Sequence, residues 1–196
     1  PAVRSVITLA ELPAAFTTWA ASDDGAALLV STSASEGEAV YLLDGDGNLR
    51  SLLWTGRVAA AALLRDSSDA VVADGLHDTV YLIREATVVP LGGEKEGIST
   101  PVALSVSRDN RWVFVANGGA GNVVKLDLAG GAPELVTCDC AITRLEQLQG
   151  NAVFRLTELS SNPMWLLDGD APEARVVFVP PERADAIAVP ARGGWK

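Results

Sequence analysis

Short apolar runs alternate with polar turns along most of this chain. One run reads Ala-Leu-Leu-Val over 27–30. Similar runs stand at 70–73 (Ala-Val-Val-Ala), 112–115 (Trp-Val-Phe-Val) and 152–155 (Ala-Val-Phe-Arg). With Leu29, Val72, Phe114 and Phe154 taken as equivalent, the intervals are 43, 42 and 40 residues. A second signature follows each run: Val-Tyr-Leu-Leu-Asp (40–44), Val-Tyr-Leu-Ile-Arg (80–84), Val-Val-Lys-Leu-Asp (123–127) and Met-Trp-Leu-Leu-Asp (164–168). Leu43, Ile83, Leu126 and Leu167 are then 40, 43 and 41 residues apart. Two independent markers that keep one period over four units define an internal repeat of about 41 residues.

Turn residues punctuate each unit. Ser22–Gly25, Arg65–Ser68, Ser107–Asn110 and Gln149–Asn151 precede the first marker, and Asp44–Asn48, Leu128–Gly131 and Asp168–Pro172 follow the second. Asp, Asn, Ser and Gly suit tight turns through positive φ and local side-chain hydrogen bonds. Each unit therefore predicts four short strands, a to d. They fall at 15–21, 26–32, 39–44 and 49–55 in the first unit, and at 58–65, 69–73, 79–84 and 87–91 in the second. The third unit gives 101–107, 111–117, 122–128 and 133–137; the fourth gives 141–148, 152–158, 163–168 and 174–179. Four strands in about 41 residues is the size of one β-propeller blade. Alanines at 14–15, 20–21 and 59–62 fit strand a, which lies nearest the axis where blades crowd together. A helix competes for 58–64 and 142–149 on propensity alone, but the repeat register favours strands. The fold expected is all-β, a β-propeller of four-stranded antiparallel blades. Its repeats span about 12–55, 56–98, 99–138 and 139–181 of a single 1–196 domain.

The third unit resembles a known repeat class. Arg111-Trp-Val-Phe-Val-Ala-Asn117, the glycine-rich 118–121 and Asn122-Val-Val-Lys-Leu-Asp127 look like a YVTN-type propeller repeat, related to NHL repeats. Phe-Val-Ala-Asn (114–117) replaces the naming motif, with Ala116 at the threonine position. The fourth unit is similar to blades of bacterial secreted propellers of uncharacterised function, through 154–158, 165–172 and 175–180. The resemblance implies fold rather than function, because propellers host many unrelated activities. The ends predict partial strands within 1–11 and 182–196, at Val3–Leu9 and Ala184–Val189. These either close a small ring through an incomplete fifth blade or belong to an arc of a larger ring. An open arc would leave blade edges able to self-associate.

Composition narrows the function classes. The chain has 15 basic and 25 acidic residues, a net charge of −10, and three lysines (Lys95, Lys125, Lys196). No basic patch stands out, so nucleic acid is not an expected partner. The longest apolar run, Val58–Leu64, is far short of the roughly 20 residues a membrane helix needs. No phosphate loop, dinucleotide fingerprint or nucleophile elbow appears, and no cofactor or metal is expected. Asp44-Gly-Asp-Gly-Asn48 begins like a calcium loop, but Leu49 and Thr55 stand where glycine and a bidentate glutamate are required, so a hairpin turn is expected. Cys138 and Cys140 are separated by one residue. In an extended segment their Cα atoms would lie about 6.5–7 Å apart, at the edge of disulfide reach, so buried thiols or a pairing elsewhere are expected.

Antiparallel strands place d–a and b–c loops on one face, where propellers usually meet ligands. That face receives the candidate binding residues Arg57, His77, Asp78, Glu94, Glu96 and Asn117. His77 is expected to be an exposed loop histidine without an assignable acidic partner. Trp112 and Trp165 are expected to pack between blades, and Trp54 to be exposed. The function these readings favour is a non-enzymatic binding module that presents a channel-mouth face to a protein or glycan. Two alternatives are a lactonase-like hydrolase or lyase, which the resemblance implies, and a structural segment of a larger cell-envelope protein. The acidic composition and repeat type point outside the cytoplasm.

Overall fold

A computed structural model describes residues 15–34, 37–85, 87–158 and 163–181. Among the described residues, sixteen strands form four sheets, each a four-stranded antiparallel meander. The first holds β1 (Phe16–Ala21), β2 (Leu28–Ala34), β3 (Gly37–Leu43) and β4 (Leu49–Trp54). The second holds β5 (Val58–Leu63), β6 (Ala70–Asp74), β7 (Thr79–Arg84) and β8 (Thr87–Gly92). The third holds β9 (Pro101–Val106), β10 (Trp112–Asn117), β11 (Asn122–Asp127) and β12 (Glu134–Thr137). The fourth holds β13 (Glu146–Gln147), β14 (Val153–Arg155), β15 (Met164–Asp168) and β16 (Arg175–Val179). The described residues form four blades of a β-propeller. The terminal strands expected at Val3–Leu9 and Ala184–Val189 lie outside the described residues.

The repeat extends to single hydrogen bonds. Ser22 Oγ donates to Asp24 Oδ1 at 2.6 Å and accepts the Ala27 N–H at 2.8 Å. One repeat pair later, Ser107 Oγ donates to Asp109 Oδ1 at 2.5 Å and accepts the Trp112 N–H at 2.9 Å. Gly25 and Asn110, which follow these aspartates, both have positive φ, at 71° and 57°. The same turn chemistry thus closes the a–b hairpin of the first and third blades. Asp44 accepts N–H groups of Asp46 and Asn48, so its segment is a side-chain-closed hairpin turn.

Alternation along β6 and β10 serves two interfaces. Ala70 and Val72 pack with Leu29, Val40 and Leu42 of the first sheet. Val71 and Ala73 pack instead with Val113, Val115 and Val124 of the third. Phe114 and Ala116 turn the other way, towards Phe154, Leu156 and Leu167 of the fourth. The Phe114 and Phe154 rings meet at 4.8 Å between centroids. All five residues of β6 are buried. Trp112 and Trp165 pack against the third interface. Trp54 is buried rather than exposed, its ring set edge-on to Tyr81 at 5.0 Å.

Two expectations change near the third junction. Cys138 and Cys140 are joined to each other, with Cα atoms 5.1 Å apart. The segment bends between them instead of running extended, and this brings the thiols within bonding reach. Beyond the bend, the fourth inner strand shrinks from the expected 141–148 to Glu146–Gln147. Thr143 and Arg144 both direct their N–H groups at the Leu156 carbonyl, so the ladder cannot advance one residue at a time there.

The Phe114 contact sets a prediction. Phe114→Ala removes a fully buried ring between two blades and is expected to cost about 3–5 kcal/mol. Urea unfolding followed by circular dichroism measures it. An unchanged midpoint would mean that the interface is not packed as described.

Candidate functional site

The d–a and b–c loops of the second and third blades form one hydrogen-bonded platform, organised by the last residue of each b strand. Asp74 pairs with Thr79 across the b–c loop and with Val58 on β5. Asn117 holds the same place, paired with Asn122 and Pro101. Each side chain reaches the incoming d–a connection. Asp74 Oδ1 accepts the Arg57 N–H at 3.1 Å, and Asn117 Oδ1 accepts the Ser99 N–H at 3.0 Å. Asp74 also accepts the N–H groups of Leu76 and His77, and its Oδ2 lies 2.8 Å from His77 Nδ1. Burial alone raises the Asp74 carboxyl, but the imidazole and the three backbone donors outweigh it and hold the group below its ordinary 3.8. The ionised carboxylate therefore accepts an Nδ1–H. Gly56 is required beside it, because a Cβ there would come within 1.8 Å of Asp74 Oδ2.

The six predicted residues divide. His77 is half-exposed and does have an acidic partner, which the sequence reading did not find. That partner is three residues away and nearly inaccessible. Asp78 accepts the Thr100 N–H at 2.8 Å, linking the b–c loop of one blade to the connection that enters the next. Asn117 is fully buried, and its Nδ2 donates to the Gly97 carbonyl and to Asn122 Oδ1. Glu96 caps the Gly93 N–H at the start of a short 3-10 turn, Glu94–Glu96, in which Glu94 is exposed. Arg57 is exposed and donates to the Gly75 carbonyl at 3.2 Å. Leu76, not singled out from sequence, is 64% exposed at the tip of the same loop. Asp74 and Asn117 are 43 residues apart, the interval of the second marker between these repeats (Ile83 to Leu126), whereas the first marker (Val72 to Phe114, 42 residues) sets Asp74 against Ala116 and hides the shared place.

A cavity of about 260 Å³ opens at the other end of the inner strands, on the a–b side. Trp19, Ala61, Ser105 and Gln147 line it, one from each inner strand, with Asp23, Arg65, Arg108 and Asn110 from the a–b turns. The turns are tied around its rim. Arg65 pairs with Asp23. Asn110 exchanges two 2.8 Å hydrogen bonds with the Arg65 backbone. Asn151 accepts the N–H groups of Arg108 and Asp109 through its carbonyl and its Oδ1.

No family model matches the chain, and no curated protein matches it. Among solved structures it is similar to a streptogramin B lyase, with a TM-score of 0.64 and 10% identity, over 84% of this chain and 54% of that one. A virginiamycin B lyase from Staphylococcus aureus gives 0.62 and 11%, over 88% and 58%. The Cps50 (Swd1) β-propeller domain of Myceliophteria thermophila gives 0.59 and 16%, over 78% and 51%. The likeness is one of fold. The chain spans a little over half the length of these structures.

Asp74 yields a second prediction. Asp74→Ala leaves the donors from Arg57, Leu76 and His77 without their acceptor and is expected to cost about 2–4 kcal/mol. Asp74→Asn, which copies Asn117, is expected to recover part of that. A carboxyl held low in the folded state stabilises fully above its unfolded value and loses this as pH falls through the folded value. The natural chain should therefore lose stability below about pH 4 more steeply than Asp74→Asn. Urea midpoints compared at neutral and acidic pH check both. Parallel pH profiles for the two proteins would remove Asp74 from this role.

Proposed function

We propose that this chain is a non-enzymatic recognition module whose b–c loop face, around Leu76, meets a protein partner. The observation that carries the reading is the engagement of the polar groups there. Asp74, Asp78, Glu96 and Asn117 are each bonded to backbone within the platform. They fix the loops instead of facing a reacting group. What the fixed loops present is an exposed apolar tip, Leu76, flanked by His77 and Arg57. A preformed surface with an apolar centre and polar surround suits a protein partner, since little ordering is needed on binding. The disulfide supports placing the protein outside the cytoplasm, where such bonds persist. Half-length coverage of the propeller neighbours is in keeping with a segment of a larger assembly.

One observation favours a second reading, a lyase or lactonase-like enzyme. An imidazole whose Nδ1 is held by a buried carboxylate has the orientation that general-base catalysis uses. Two similar structures are lyases, and another is a catalytically inactive histidine-to-alanine virginiamycin B lyase with quinupristin. Against it, no hydrogen bond joins a further acid to the His77–Asp74 pair among the described residues.

Peptide display against the immobilised chain, with anisotropy titration of the selected peptide, tests the binding reading. Leu76→Asp is expected to weaken that peptide about tenfold or more. Equal binding to both proteins would place the recognition surface elsewhere. Quinupristin and simple lactones, incubated with magnesium or calcium, are expected to stay intact. Ring opening that disappears in His77→Ala would replace binding with catalysis.

A further inference from the structure

We propose that the Cys138–Cys140 bond is a reversible redox site, which a dithiol opens and which controls the glycine loop of the third blade. The bond encloses a single residue, Asp139. A loop that short takes little conformational freedom from the unfolded chain, so folding adds little to the hold on the bond. The two sulfurs also differ in access. Cys138 is buried, Cys140 is half-buried, and Asp139 between them is exposed. A disulfide within reach of solvent is the kind that exchanges with thiols.

The loop beside the bond cannot close itself. In the second blade, the Asp74 carboxylate gathers the N–H groups of Leu76 and His77 together with the imidazole, and so closes the b–c loop from within. The corresponding loop of the third blade, 118–121, reads Gly-Gly-Ala-Gly and has no polar side chain. It is held by its neighbours. Asn117 Nδ2 donates to Asn122 Oδ1 across the base, and the Gly121 carbonyl accepts the Cys138 N–H at 2.8 Å. Gly121 also lies close under the bend. A Cβ there would come within 3.0 Å of the Cys138 carbonyl oxygen and 3.3 Å of that of Cys140. The disulfide fixes the bend that makes these approaches. Opening it frees the stretch by which the chain enters the fourth blade, and the loop loses its outer support.

The exchange needs only the dithiol as co-reactant. One of its thiolates attacks Sγ of Cys140, the more accessible sulfur, and the Sγ–Sγ bond breaks. Cys138 leaves as a thiolate and takes a proton from water. The second thiol of the reductant, also as thiolate, attacks the reductant sulfur of the mixed disulfide. This closes the reductant's own disulfide and releases Cys140, which is protonated in turn. The chain gains two electrons and two protons, and the dithiol loses them.

Reduction of the folded chain with dithiothreitol, read by alkylation with mass spectrometry and by amide hydrogen exchange, tests this. Both cysteines should become alkylated without denaturant. Exchange at the Cys138 amide and across 118–122 should quicken about tenfold or more, while 75–78 keeps its rate. Oxidised glutathione should restore the slow exchange. The double variant Cys138→Ser, Cys140→Ser should exchange like the reduced chain and not respond to dithiothreitol. A bond that opens only when urea unfolds the chain, or unchanged exchange at 118–122 after reduction, would each overturn the proposal. Reduction that unfolds all four blades would overturn it too, because the bond would then be a staple of the whole fold.

Discussion

The fold rests on its second and third sheets, which bury both faces. A lone four-stranded antiparallel sheet normally gives one face to the core and one to water. Here Val71 and Ala73 look to one neighbour while Ala70 and Val72 look to the other, and all four are fully buried. The b strands consequently read as continuous apolar runs rather than alternating ones, and those runs are the first marker of the repeat. Neither interface can be altered without touching a strand that also builds the other. The exposed apolar residues of the first sheet, Phe16, Trp19 and Leu49, have no such second layer among the described residues.

Packing holds the sheets face to face, but polar contacts at their two ends lock one blade to the next. On the loop side, Glu38 accepts the Val58 N–H across the first junction, and Asn117 holds the connection that enters the third blade. On the turn side, Asp23–Arg65, Asn110–Arg65 and Asn151–Asp109 span the three junctions in order. The Glu38–Val58 and Asn110–Arg65 bonds capture a backbone group of the adjacent blade. Wherever a blade-to-blade connection enters, some N–H groups lie outside any ladder and need an acceptor. The side chains that supply it are those a sequence reading most readily mistakes for ligand contacts.

That explains what the sequence disclosed. Period, strand number and most strand bounds were legible because they rest on local alternation and turn chemistry, as in the shared Ser-x-Asp turns at 22–24 and 107–109. The role of Asp74 was not, because its decisive partner is the Arg57 N–H, 17 residues away across a β-ladder. The burial of Trp54 depends on Tyr81 in the next blade. The Cys138–Cys140 bond escaped because an extended path was assumed where the chain bends. Of the six candidate residues, all lie on the predicted face, but folding uses Asn117 and Glu96 internally and leaves His77, Glu94 and Arg57 accessible.

The two ends of the inner strands have become chemically different although one repeat builds both. The b–c loops of the second and third blades are short and closed by their own side chains. The aspartates and asparagines of the a–b turns tie neighbouring turns together around a hollow. The two ends can differ because the strands between them are held by packing on both sides in the second and third sheets. Changes in a loop at one end then have little means of reaching the other.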